Sequence, residues 1–123
     1  MIQSCIEMRK GTLVHMDKKA IYKPLAQFFN KLSGKIQIKD LIIFGSYAEG
    51  MPTRDSDIDV VVISDDFQKI REDKRLKLLD SAAKEINPMI QAWGFTSKEI
   101  EQADELTTLG HARVAGVRWS SLA

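Results

Sequence analysis

Two short motifs ten residues apart carry the side chains that could do chemistry. Gly45-Ser46 closes the apolar run LIIF (41–44), and Asp57-Ile58-Asp59 opens the apolar run IDVVVI (58–63), with Gly50 between them. If the second run is a strand, Asp57 and Asp59 stand two residues apart and project to the same face, where their oxygens can chelate one hard cation. Two like charges held together are costly unless a cation joins them. Gly45-Ser46 leads into SYAEG (46–50), which reads as a short helical stretch whose free N–H groups, with the Ser46 hydroxyl, can hold phosphate oxygens. Alone, a Gly-Ser after a strand is an ordinary turn and Asp-x-Asp an ordinary solvated cap. Joined at this spacing between two apolar runs, they describe a site for a metal-bound triphosphate.

The elements that must position these residues follow from periodicity. Ile21, Leu25, Phe28, Phe29 and Leu32 recur at helical spacing and Gly34 follows, which predicts a helix over 18–33 with Pro24 either kinking it or marking its first turn. LIIF and IDVVVI read as strands, and the lack of alternation in the second predicts that both its faces are covered. Phe67, Ile70, Leu76, Leu79, Ala83 and Ile86 form one apolar stripe, with Lys, Arg, Asp and Glu opposite, which predicts an amphipathic helix over roughly 67–85. Alternation through Ile86, Pro88, Ile90 and Ala92 predicts a third strand with Pro near its start or on an edge. Thr96 or Ser97 can cap a helix running through SKEIEQADELTTLGHARV, and VAGVRW supplies a closing strand. Alternating helices and strands give an α/β (α+β) domain with a sheet of about four strands.

Composition sets the outer bounds. A chain of 123 residues with 44% hydrophobic and 28% charged residues, and only 10 Gly plus Pro, has room for one folded domain, residues 1–123, and argues against disorder. No apolar run reaches the length of about 18 residues that spans a bilayer, and the N-terminus is unlike a signal peptide, so the expected location is cytoplasmic. One Cys and two His propose no disulfide and no Cys/His metal centre; Cys5 reads as an incidental thiol, His15 and His111 as surface or dipole-pairing residues. The net charge of +1 conceals a division. Residues 9–39 hold eight Lys/Arg against Asp17, a balance of +7, whereas residues 49–66 hold Arg54 against Glu49, Asp55, Asp57, Asp59, Asp65 and Asp66, a balance of −5. Arg54 could add a phosphate contact but reads first as an exposed loop residue. The basic stretch has no interleaved aromatic residues, so nucleic acid ranks last among the partners.

The run GSYAEGMPTRDSDIDVVV (45–62) resembles the signature of the minimal nucleotidyltransferase family of the DNA polymerase β superfamily, Gly-Ser, ten residues, Asp-x-Asp. The resemblance extends over nearly the whole chain. It implies the nucleotidyltransferase fold, a mixed sheet flanked by helices, with Gly45 and Ser46 binding the triphosphate and Asp57 and Asp59 as the catalytic carboxylates that bind Mg²⁺. It further implies transfer of a nucleoside monophosphate, AMP from ATP, to a hydroxyl on another molecule, with pyrophosphate released. Because the chain lacks the acceptor-binding domain of larger relatives, the acceptor is expected on a partner. Family members of this length pair as antitoxins with HEPN-domain proteins, and a second copy of the chain is a further possible partner.

The chain departs from that pattern in one place. Active members carry a third carboxylate on the strand after the long helix, which here reads EINPMIQAWGF (85–95). Alignment through Gly94-Phe95 puts Asn87 at that place, with Gln91 on the same face and Glu85 reaching it in another register. An amide lends oxygen to a metal but accepts no proton. The alternative to an enzyme is therefore a catalytically impaired, nucleotide-binding antitoxin that sequesters its partner through an apolar patch around Trp93, Phe95 and Trp119.

Overall fold

A computed structural model describes residues 18–48, 50 and 57–121, and, of these, the side chains of all but residues 18–20 and 121. In chain order the elements are α1 (Lys18–Ser33), β1 (Asp40–Phe44), β2 (Ile58–Ile63), a 3₁₀ turn (Asp65–Lys69), α2 (Glu72–Ala83), β3 (Ile90–Phe95), α3 (Ser97–Glu101), α4 (Thr108–Ala115), β4 (Val117–Arg118) and a final 3₁₀ turn (Trp119–Ser121). The four strands form one mixed sheet in the order β3-β2-β1-β4, with β1 antiparallel to both β2 and β4 and β2 parallel to β3. The parallel pair is joined by the crossover through α2, the connection that parallel neighbours require.

Alternate residues of each strand feed two cores. On one side Ile21, Leu25, Phe28 and Leu32 of α1 and Leu79 and Ala82 of α2 pack on Leu41, Ile43, Ile58, Val60, Val62, Ile90 and Ala92. On the other, Ile100 of α3 and Ala112 of α4 cover Ile42, Val61 and Ile63, with Phe44, Phe95 and Leu109 at the margin. This two-sided burial explains why β2 shows no alternation: every residue of it except Asp59 is buried. Each fully buried Phe or Leu contributes about 1.5–3 kcal/mol relative to exposure.

The first helix has the expected bounds and carries Pro24 in its interior. The second does not. It divides into the 3₁₀ turn and α2, with Ile70 and Arg71 extended between them. The break changes the helical phase, so Arg75 is buried while Leu76, placed by the periodicity in the apolar stripe, is 45% exposed. Arg75 is satisfied there: Nε donates to Ile70 O (2.8 Å), Nη2 to Phe67 O (2.6 Å), and Nη1 to Gly94 O (3.2 Å) and Glu99 Oε1 (2.9 Å). Its guanidinium also lies 5.4 Å from the centroid of the Phe67 ring.

The single helix expected over 97–114 is also two. Thr96 caps α3 in a capping box with Glu99. The chain then turns, because Asp104 Oδ1 accepts from Leu106 N, Thr107 Oγ1 donates to Asp104 O, and the same hydroxyl accepts from Gly110 N to start α4. The third strand begins at Ile90, so Ile86 and Pro88 precede it, and it lies at the sheet edge. The closing strand is confined to Val117–Arg118.

Candidate active site

The site forms where β1 ends and β2 begins. These strands are antiparallel, and Phe44, the last residue of β1, is paired with Asp59, the second of β2. Gly45 follows with φ 76°, a conformation that L side chains rarely adopt, and turns the chain away from the sheet. Its missing side chain is also required by space: a Cβ there would overlap Asp59 Oδ2 and lie 3.2 Å from Asp59 Cγ. The backbone of the Gly-Ser turn therefore lies directly against the second carboxylate.

Ser46 is half-buried, and the turn is anchored by Tyr47 and Ala48, both buried in the larger core. Residues 45–48 form turns rather than the expected helical stretch, with Gly50 N donating to Tyr47 O (3.2 Å) and Gly50 also at positive φ (75°). Any phosphate held here is met by a glycine turn and a hydroxyl, and among the described residues no helix starts at this turn. Glu49, Arg54 and Asp55 lie outside the described residues.

Asp57 and Asp59 are both half-buried. The Asp59 carboxyl titrates above its ordinary value, first because burial disfavours its charge and second because Asp57 is also negative. No ion pair among the described residues joins either carboxylate. Two half-buried, oxygen-bearing side chains that repel each other fit a hard divalent cation. The other two described acids of the central segment are engaged elsewhere. Asp65 and Asp66 lie beyond the far end of β2, where Asp65 pairs with Lys39 (2.8 Å) and accepts from Ser97 N, and Asp66 accepts from Gln37 N. The Asp65 carboxyl is held below its ordinary value, chiefly by the Lys39 side-chain hydrogen bond.

The register of β2 and β3 sets which residue stands beside Asp59. Asp59 is paired in parallel with Gln91. Aligned residues of neighbouring strands share a face, so Gln91 occupies the position beside Asp59. Asn87, expected there, and Glu85 both sit in the exposed connection between α2 and β3, Glu85 at φ 66°. The sequence contained the signal, since Gln91 has the same strand parity, but the alternation running on through Pro88 concealed where β3 begins. Among the described residues no group of three or more His, Cys, Asp or Glu converges on one point.

The same face carries an aromatic wall. Phe44 and Trp93 reach across β2, with ring centroids 5.6 Å apart, and separate the Asp pair from the part of the sheet that α3 and α4 cover. The apolar patch expected around Trp93, Phe95 and Trp119 is not one surface. Trp119 follows β4 at the opposite edge of the sheet and packs on Tyr22, with centroids 5.0 Å apart.

A family model described as "Nucleotidyltransferase domain" matches residues 24–106, a span that holds both motifs and Gln91. A protein of Methanocaldococcus jannaschii named "Putative protein adenylyltransferase" is 35% identical over 95 residues, covering 75% of this chain and 94% of that protein. No solved structure matches the chain. Among the described residues no helix is long and apolar enough to cross a membrane.

Proposed function

Since the chain belongs to the nucleotidyltransferase family, we propose that it transfers AMP from ATP to a hydroxyl group of a partner protein, as the name of its archaeal relative suggests for that protein. The observation that carries this reading is the apposition of the Gly45 turn and the Asp59 carboxylate, which puts an anion-accepting backbone and a cation-accepting carboxylate pair side by side. In the reaction the acceptor oxygen forms a bond to the α-phosphorus, the bond between that phosphorus and the β-phosphate oxygen breaks, and pyrophosphate leaves. Gly45 and Ser46 hold the triphosphate oxygens. Asp57 and Asp59 hold Mg²⁺, which when bound supplies positive charge against the triphosphate. Gln91 positions by hydrogen bonding but takes up no proton, so the hydroxyl proton leaves to water or to the Asp pair.

A second reading is favoured by Gln91 itself. Loss of a general base costs about 10²–10⁴-fold in rate, so the chain would bind Mg-ATP while acting mainly by holding its partner. Both readings fit an antitoxin paired with a HEPN-domain protein. Incubation of the chain with α-labelled ATP, Mg²⁺ and its co-purifying partner separates them. Label on the partner, lost in Asp57→Asn, is the expected result; a stable complex that never acquires label overturns transfer.

A further inference from the structure

We propose that the free edge of β3 is a docking groove for an extended, basic segment of a partner protein. The inference supplies the partner chemistry of the reading above and rests on it only in taking the acceptor to be a protein. In the parallel pair, Ile58 N donates to Met89 O and Ser64 N to Phe95 O, so the odd-numbered residues of β3 face β2. By the alternation of the ladder, the backbone groups of Ile90, Ala92 and Gly94 point to the free edge. Arg75 takes up the Gly94 carbonyl, which ends the edge there and leaves the N–H and C=O of Ile90 and Ala92 without a strand partner among the described residues. An unpaired edge of this kind is a template for an added strand.

The groove beside that edge is formed with α2. Glu72, Leu76 and Asp80, at four-residue intervals along the helix, make one wall, while Gln91 and Trp93 of the strand and Met89 just before it make the other. Leu76 and Met89 are exposed apolar side chains. Apart from Arg75, whose guanidinium is already committed to three carbonyls and Glu99, every charged residue lining the groove is acidic.

The spacing defines the occupant. Glu72 and Asp80 are separated by about 12 Å of helix, and four residues of extended chain span about 13 Å. An added strand with Lys or Arg at positions 1 and 5 and an apolar residue at position 3 therefore meets Glu72, Leu76 and Asp80 in turn. Its residues 2 and 4 fall on the opposite face, the face that carries Gln91 and Asp59, so a hydroxyl residue there is delivered to the side of the sheet that holds the Asp pair.

The test uses the full chain and fluorescent peptides of about twelve residues, one centred on Lys-Ser-Val-Ser-Lys and one on Glu-Ser-Val-Ser-Glu, measured by anisotropy without nucleotide. The basic peptide is expected to bind and the acidic one not; Glu72→Lys with Asp80→Lys should reverse the preference, each peptide changing by about tenfold. Ala92→Pro, which removes an edge N–H and no ladder bond but adds volume in the core, should weaken the basic peptide when binding is measured at a temperature where the variant is fully folded. Equal affinity for both peptides, no binding of either, or indifference to the double reversal overturns the groove, as does a dimer in sedimentation that Ala92→Pro dissociates. Adding Mg-ATP to the bound basic peptide distinguishes the two readings: binding without label upholds the groove and counts against transfer.

Discussion

The Asp59 carboxylate occupies the space that a Cβ on Gly45 would need. Gly45→Ala therefore suffers twice, through a positive φ costing about 1–2 kcal/mol and through displacement of Asp59. The expected outcome is a lower melting temperature together with loss of Mg-ATP binding. In the double variant Gly45→Ala/Asp59→Ala the overlap is gone and only the backbone cost remains, so Gly45→Ala costs less in the Asp59→Ala background than in the parent. Simple additivity in a thermal-melt cycle would show that the two residues do not meet.

Asp59 gives a pH dependence whose sign is opposite to that of an ordinary salt-bridged carboxylate. Its folded-state value is raised, first by burial and second by Asp57, so ionising it opposes folding. Its favourable contribution is complete below the ordinary aspartate value of 3.8 and is lost as pH rises through the raised one. Asp59→Asn should thus be more stable than the parent at neutral pH in the absence of metal, with the difference closing on acidification. Asp57→Asn should move the Asp59 titration back toward 3.8, read by carbon NMR of the carboxyl group.

Gln91→Glu restores an acid beside Asp59. Added Mg²⁺ should bind more tightly and transfer should accelerate by about 10²–10⁴-fold, while the metal-free protein loses stability from three adjacent negative charges. An unchanged rate of label transfer would show that the place beside Asp59 is not where the proton acceptor belongs.

Arg75 ties the 3₁₀ turn, α2, β3 and α3 together through three backbone carbonyls and the Glu99 carboxylate. Arg75→Met leaves those oxygens unsatisfied, and a loss on the order of 3 kcal/mol is expected in chemical denaturation. Glu99 reports the same junction by pH. Burial pushes its carboxyl up, but the Thr96 N–H and the Arg75 guanidinium outweigh that and hold it below its ordinary 4.5. The stability it adds is present above 4.5 and is lost as pH falls through the depressed value, so Glu99→Gln should flatten the acid limb of the stability curve.

Much of this arrangement is legible in the sequence, for reasons that particular residues make plain. β2 is two-sided because both helical layers need it, and an apolar run bounded by Asp57 and Ser64 shows that directly. Gly45 and Asp59 can be paired because each adjoins an apolar run. What escapes a linear reading is phase. Two extended residues, Ile70 and Arg71, reset the helix after Phe67, which buries Arg75 and exposes Leu76; the apolar pattern holds no mark of that interruption. The position of Gln91 escapes similarly, since Ile86 and Pro88 continue the strand alternation through residues that the chain uses as a turn. In the C-terminal region the carboxylate of Asp104 and the hydroxyl of Thr107 bond the local backbone and end a helix that propensity alone would carry through.

The chain has two tryptophans, and the fold sends them to opposite ends of the sheet. Trp93 lies against Phe44 on the face of the Asp pair, while Trp119 lies against Tyr22 beside α1. Each indole therefore samples a different event: Trp93 emission follows what enters the face of the Asp pair, and Trp119 emission follows the docking of the C-terminal turn on the first helix. With either one replaced by Phe, the protein becomes its own fluorimeter, able to separate ligand entry from unfolding without any attached dye.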